Sequence, residues 1–472
     1  MRCKFLYALL LVTALCSCSY AADPLGFIPD IRDSQVMPPN NYICQTMLAG
    51  DKLVTFRSWL DIPYVSKPVE PEYHRLNVYI PEEYFHEGGT INGYTAKTAP
   101  ILMPNGVGGY MPGRAFVPAN DMRHGGPNIA LAALAHGYVV IAPAIRGRTL
   151  EHGKAPALIV DYKAAVRWVR HNKDKLPAGD TEKIISDGLS AGGALSSLLG
   201  ATGNAKDYEP YLKAIGASEE RDDIFASVVY CPITDLDHAD MPYEWVFNGV
   251  NTYHLGPARE MDENMKAASE ALKKAFPAYL NSLNLKGYTL DENGNGTFRD
   301  FVEGLYISAA QKALDKGENV LGLDWLTVKD GKVIAADLAK YAVWATRMKA
   351  APAFDSLNMA SYENNEFADK HFTEYSFTHS TAQKPAMADE AVIRLMNPLN
   401  FIGVEGVDTA KHWRIRHGVK DRDTSLAVPA ILALKLRDAG YDADVAAVWG
   451  VPHDGNYDLP ELFEWLDGIC KQ

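Results

Sequence analysis

Five adjacent residues, Gly188-Leu189-Ser190-Ala191-Gly192, carry most of the chemistry this sequence offers. A serine hydroxyl is a poor nucleophile until a base takes its proton. G-x-S-x-G becomes informative when an apolar strand precedes it and an apolar helix follows, because that setting makes a tight, strained nucleophile elbow. Here Ile184-Ile185 precedes the motif and Gly193-Ala194-Leu195 follows it. Outside such a context the same glycines would read as a helix cap. Ser190 is the expected nucleophile.

The nucleophile needs a base, an acid that orients the base, and donors for the oxyanion. In the chain order Ser, acid, His, the base is expected in Trp449-Gly450-Val451-Pro452-His453 and the acid in His417-Gly418-Val419-Lys420-Asp421-Arg422-Asp423. Both stretches follow strand-like segments, at the strand ends where open α/β sheets place active sites. His453 is the expected base and Asp421 its partner, with Asp423 the runner-up. His412, His417 and His379 read as surface or packing histidines. One oxyanion donor is expected from the Ala191 amide, the other from Gly108 or Gly109 in the glycine-rich loop Asn105-Gly106-Val107-Gly108-Gly109-Tyr110. That loop is a poor phosphate cradle, since neither Gly-Lys-Ser/Thr nor a helix start follows it.

Alternation of strands and helices must bring these residues together. Strand signals lie at residues 75–80, 100–103, 138–144, 183–185, 225–230, 413–416 and 444–449, and helical spacing at 129–135, 159–169 and 428–439. Such alternation implies a mostly parallel sheet with helices on both faces, the α/β-hydrolase class of fold. The rhythm stops over residues 239–389, which read as helical, polar and without a strand ladder. The expected organisation is a signal peptide over 1–22, core over 23–238, an inserted, mainly helical lid over 239–389, and core again over 390–472.

The 472 residues carry a formal charge of −13, are 47% apolar and 22% charged, and contain no internal repeat. This excludes a disordered or fibrous chain, and an acidic surface without a basic patch disfavours nucleic acid. Arg2 and Lys4 precede an apolar run over residues 6–15, too short to span a bilayer and suited to an export signal. Ser19-Tyr20-Ala21 suits cleavage after Ala21 or Ala22, while Leu15-Cys16-Ser17-Cys18 suits lipidation at Cys18. The chain is thus expected to be exported: periplasmic, secreted, or held at the cell surface by an N-terminal lipid anchor, with no other membrane link. Cys44, Cys231 and Cys470 remain after cleavage, match no zinc spacing, and read as buried or terminal thiols.

Taken together, the elbow with Gly200-Ala201-Thr202-Gly203-Asn204, the loop Pro104-Asn105-Gly106-Val107-Gly108-Gly109-Tyr110-Met111-Pro112-Gly113 and the run Lys420-Asp421-Arg422-Asp423-Thr424-Ser425 resemble the bacterial tannases over most of the chain. The resemblance implies hydrolysis of gallate esters and depsides through a Ser190, Asp421 and His453 triad. It also implies that Asp423, Lys349 and Glu363 bind the galloyl hydroxyls, the latter two otherwise reading as a solvated helix face. A feruloyl or general carboxylesterase would share the triad without that trio, and a polyphenol-binding protein would have lost catalysis. No cofactor is expected for the chemistry.

One further loop, Asp291-Glu292-Asn293-Gly294-Asn295-Gly296-Thr297, copies the first half of a calcium loop, with Asp291, Asn293 and Asn295 as oxygen ligands. Position twelve is Val302 where a glutamate belongs, so a plain turn competes with a structural calcium remote from Ser190.

Overall fold

The computed structural model describes residues 35–378 and 386–472. Residues 1–22, Cys18 and His379 lie outside them. A single nine-stranded sheet organises the core. In chain order its strands are β1 (Ile43–Ala49), β2 (Lys52–Pro63), β3 (Arg75–Pro81), β4 (Pro100–Pro104), β5 (Val139–Pro143), β6 (Asp180–Leu189), β7 (Ala226–Tyr230), β8 (His412–Gly418) and β9 (Asp442–Val448). Across the sheet they run β1-β2-β3-β5-β4-β6-β7-β8-β9. The pairs from β5 to β9 are parallel, and those among β1, β2, β3 and β5 antiparallel.

Burial explains the strands. β4, β5 and β7 are buried at every position, as continuous apolar runs must be when helices cover both faces. Helices α1 (Ile129–Ala135), α2 (Ala157–His171) and α3 (Ala191–Ala201) form the connections. Asn128 caps α1 by accepting the Leu131 N–H, as a short polar side chain at a helix start should. The β1–β2 hairpin was not anticipated. β1 is an edge strand with only its last residue buried, so it carries no alternating pattern to read.

Between β7 and β8 the chain leaves the sheet. This excursion holds, among the described residues, the helices Asp240–Phe247, Glu263–Ser282, Thr297–Asp315, Leu338–Ala345, Tyr362–Glu366 and Glu390–Leu395, and two small hairpins. The hairpins correct the expectation of a segment without strands. Leu326–Lys329 pairs with Lys332–Ala336 around Asp330 and Gly331, at φ 51° and 73°. An Asp-Gly pair with both φ positive is what a two-residue hairpin turn requires.

The excursion is fastened to the core at the loops after β8 and β9. Tyr341 Oη donates to the Val419 carbonyl at 2.8 Å, and Trp325 stacks on Trp449 at 5.9 Å. Within it, Arg347 and Glu244 form a fully buried ion pair, and Ser269 Oγ donates to Glu244 at 2.6 Å. Among the described residues no helix is long and apolar enough to cross a membrane.

Candidate active site

Ser190 stands between β6 and α3 with φ 58° and ψ −126°, a conformation that costs on the order of 1–3 kcal/mol for a residue with a side chain. Its surroundings enforce it. Ser190 N–H donates to the Tyr230 carbonyl at 3.0 Å, and its own carbonyl accepts the Ala194 N–H at 2.9 Å. The flanking glycines are steric necessities. A Cβ at Gly188 would sit 2.2 Å from the Gly192 carbonyl oxygen, and one at Gly192 2.6 Å from Asn105 Oδ1. Asn105, whose individual role the sequence does not reveal, ties the glycine-rich loop to the elbow. Its Nδ2 donates to the Asp187 and Gly192 carbonyls, both at 3.0 Å, and to Ser196 Oγ at 3.2 Å.

Strand order brings acid and base to the same rim, because β7, β8 and β9 lie successively beside β6. Asp421 Oδ2 lies 2.8 Å from His453 Nδ1, and Asp421 Oδ1 accepts the Asp423 N–H at 2.9 Å. Asp423 is placed differently. Its Oδ1 is 3.8 Å from His453 Nε2 and 3.0 Å from Lys349 Nζ. The two carboxylates therefore flank opposite nitrogens of one ring, and only Asp421 can orient the base. Burial alone would lower the His453 pKa, but the charge and hydrogen bond of Asp421 hold it above the ordinary imidazole value. Asp421, although buried, stays below the usual carboxylate range because His417 and His453 face it. His417 is a packing histidine, fully buried and 3.7 Å from Asp421, and burial lowers its pKa. His412 is engaged by Asp442 at 3.0 Å. Ser190 Oγ makes no hydrogen bond to His453 here, and in substrate-free enzymes that contact often tightens only in the complex.

Gly108 and Gly109 follow Val107, whose carbonyl oxygen would lie 2.7 Å from a Cβ at Gly192. Among the described residues their amides donate to no protein acceptor, and Gly109 is in the left-handed region at φ 52°. The Gly109 carbonyl instead accepts Arg148 Nε at 2.7 Å. The Ala191 amide opens the first turn of α3 directly after Ser190.

Lys349 and Glu363 are not on a solvated face. Lys349 follows the helix Leu338–Ala345, its side chain only 14% exposed, and its Nζ sits 4.1 Å over the Phe354 ring. Glu363, on the short helix Tyr362–Glu366, is buried. Burial pushes the Glu363 carboxyl up, partly offset by Lys349. Desolvation would lower the Lys349 pKa, but Asp423 and Glu363 raise it, so the ammonium is kept. Two groups beyond the expected set also appear. Glu366, one turn past Glu363, is buried with both carboxyl oxygens unpartnered, and burial raises its pKa well above the ordinary value. Cys231, read as an ordinary buried thiol, is indeed buried, but its Sγ lies against the His453 ring and the Ser190 backbone.

In the loop at Asp291 the side-chain oxygens serve the loop itself. Asp291 Oδ1 accepts the Asn293 and Asn295 N–H groups, both at 2.9 Å, and Asn295 Oδ1 accepts Arg299 Nη1 at 2.9 Å.

Comparison with known proteins gives three kinds of match. A family model described as BD-FAE matches residues 108–280. Esterase LipC of Mycobacterium tuberculosis is 36% identical over 116 residues, 25% of this chain and 26% of its own length, so the match spans about a quarter of that relative. Solved structures match far more completely. Fusobacterium nucleatum tannase is 43% identical with a TM-score of 0.88, covering 92% of this chain and 99% of that one. Lactobacillus plantarum tannase is 42% identical with a TM-score of 0.87, covering 92% and 100%. A tannin acyl hydrolase solved in complex with ethyl gallate is 43% identical with a TM-score of 0.87, covering 93% and 100%.

Proposed function

This chain belongs to the bacterial tannases, α/β-hydrolases by fold, and from that premise we propose that it hydrolyses gallate esters and depsides through a galloyl-enzyme. The observation that carries the proposal is the pair of carboxylates on His453, one orienting the ring through Nδ1 and the other held by Lys349 on the Nε2 side. Ser190 attacks the ester carbonyl while His453 Nε2 takes its proton. The amides of Ala191 and of Gly108 or Gly109 receive the oxyanion. His453 returns the proton to the leaving alcohol, and water, activated by the same ring, releases gallic acid.

A galloyl ring presents three adjacent hydroxyls. Carboxylates accept from hydroxyls and an ammonium donates to a phenolic oxygen, so Asp423, Glu363 and Lys349 together suit that ring. A site built to bond hydroxyls leaves its own buried polar groups unpaired when an analogue lacks them, and such sites reject the analogue by about 10⁴-fold. Propyl gallate should therefore exceed propyl benzoate in kcat/KM by that order, and Asp423→Asn should narrow the ratio mainly by raising KM for gallate. Equal turnover of the two esters by the wild type would end this assignment. A feruloyl or general carboxylesterase is the second reading, supported more weakly by the partial match to esterase LipC, and faster release of ferulate than gallate from matched esters would select it. A catalytically dead polyphenol binder would leave Ser190 unlabelled by a fluorophosphonate probe.

We further assign residues 239–389 as a lid, residues 1–22 as an export signal, and the mature protein to the periplasm, the medium or the cell surface, with Cys18 the residue lipidated if the anchor is used. No cofactor takes part in these steps. Calcium at Asp291, Asn293 and Asn295 would compete with the two loop amides for Asp291 Oδ1 and with Arg299 for Asn295 Oδ1. Calorimetric titration of the chelator-treated protein is expected to show no heat of calcium binding, and a stoichiometric signal abolished by Asp291→Asn would make the loop a metal site.

A further inference from the structure

We propose that Cys231, His453 and Asp421 form a binding site for a thiophilic divalent cation, Zn²⁺ or Cd²⁺, through which such an ion reversibly stops the enzyme. The inference rests on the triad reading above, since inhibition follows from capture of the base. One ligand atom from each residue (Cys231 Sγ, a ring nitrogen of His453, a carboxylate oxygen of Asp421) lies within 4.8 Å of the other two. Around a tetrahedral ion with bonds of about 2.0–2.3 Å, ligand atoms sit about 3.4–3.8 Å apart. Side-chain shifts of up to about 1.4 Å would bring the three atoms to that spacing, with water as the fourth ligand.

The three residues are already fixed. Cys231 follows β7 directly, in the left-handed region at φ 37°, with its N–H on the Arg416 carbonyl at 2.7 Å and its Sγ 3.5 Å from the Asp454 carbonyl oxygen. Its side chain is buried, whereas that of His453 is 24% exposed, so an ion reaches the group past the His453 ring. Thiolate, imidazole and carboxylate are the ligand types Zn²⁺ takes, and the sulfur selects it over Mg²⁺ or Ca²⁺. On binding, the S–H bond of Cys231 breaks and a metal–sulfur bond forms, the proton going to solvent. A lone pair of His453 is donated to the metal, so the ring no longer serves Ser190. Nothing is oxidised or reduced. A second acidic group, Asp235, Asp237 and His238, is a poorer candidate. It offers no sulfur, and Asp235 is bonded to Asn397 and Tyr279.

The test is a Zn²⁺ titration of gallate-ester hydrolysis by the wild type, Cys231→Ala, Cys231→Ser, and the controls Cys44→Ala and Cys470→Ala. Half-inhibition should move to at least about 100-fold higher Zn²⁺ in both Cys231 variants, since loss of even an outer-shell partner costs about 10–100-fold. It should stay put in the controls, and chelator should restore wild-type activity. Unchanged sensitivity in the Cys231 variants, or inhibition that chelator does not reverse, overturns the site. Where a Cys231 variant is too weak to titrate, cadmium–thiolate ultraviolet absorption replaces activity. The band should form with wild type and Ser190→Ala and be absent in Cys231→Ser, and its persistence in Cys231→Ser refutes the site. Because Ser190→Ala keeps the metal site, an active Ser190→Ala enzyme would instead indict the triad reading.

Discussion

Ser190→Ala is expected to lower kcat for gallate esters by about 10⁶-fold, the order seen when a triad nucleophile is removed. At 1.36 kcal/mol per decade this is roughly 8 kcal/mol of lost transition-state stabilisation. KM should change little, because the groups expected to hold the ring, Lys349, Asp423 and Glu363, belong to the inserted segment and the loop after β8, not to the elbow. Residual turnover should still exceed the uncatalysed rate, since the amides of Ala191 and the glycine-rich loop stay in place. His453→Ala should cost a similar amount, and the double variant no more than either single one, because residues that act as a unit are not additive. The elbow should survive. Alanine carries the same Cβ that serine already holds at φ 58°, so an unchanged melting temperature is the expected control. A folded Ser190→Ala enzyme within a hundredfold of wild type would show that the attacking group lies elsewhere.

What could be read from the amino acids follows the distance over which each feature is encoded. The elbow is local. Five residues between a strand and a helix carry it, and Gly188 and Gly192 are there because no side chain fits. Asp421 and His453 were legible one step less directly, through chain order and their positions after two strands. Lys349 and Glu363 show no local pattern at all. Lys349 stands 74 residues before Asp423 on irregular backbone, and only resemblance to a family pointed to it. The closeness of Cys231 to His453 could not be read, because it depends on β7 and β9 both flanking β8. Asp330-Gly331 between short alternating segments is a hairpin signal in its own right. The role of Asn105 is not local, since its amide reaches carbonyls 82 and 87 residues away to hold loop and elbow together.

Asp421→Asn is expected to cost about 10⁴-fold in kcat/KM and, more diagnostically, to move the acid limb of the pH profile. In the proposed mechanism catalysis needs unprotonated His453, so the acid limb of kcat/KM follows the pKa of that ring in the free enzyme. Asp421 raises this pKa by favouring the imidazolium, which places the wild-type limb above the ordinary imidazole value of about 6.5. Asparagine removes the charge, the ring gives up its proton more easily, and the limb must shift to lower pH. The neutral amide can still accept the Asp423 N–H that Asp421 now accepts at 2.9 Å, so the loop need not rearrange. The amide can, however, donate to Nδ1, which stabilises the tautomer that cannot take a proton from Ser190 at Nε2. Asp423→Asn separates the two roles. Its carboxylate lies on the Nε2 side and is held by Lys349, so its loss should appear in gallate KM and selectivity, with a smaller fall in kcat. If Asp423→Asn instead gave the 10⁴-fold loss and the shifted limb while Asp421→Asn changed selectivity, the acid and the ring-binding carboxylate would have to be exchanged.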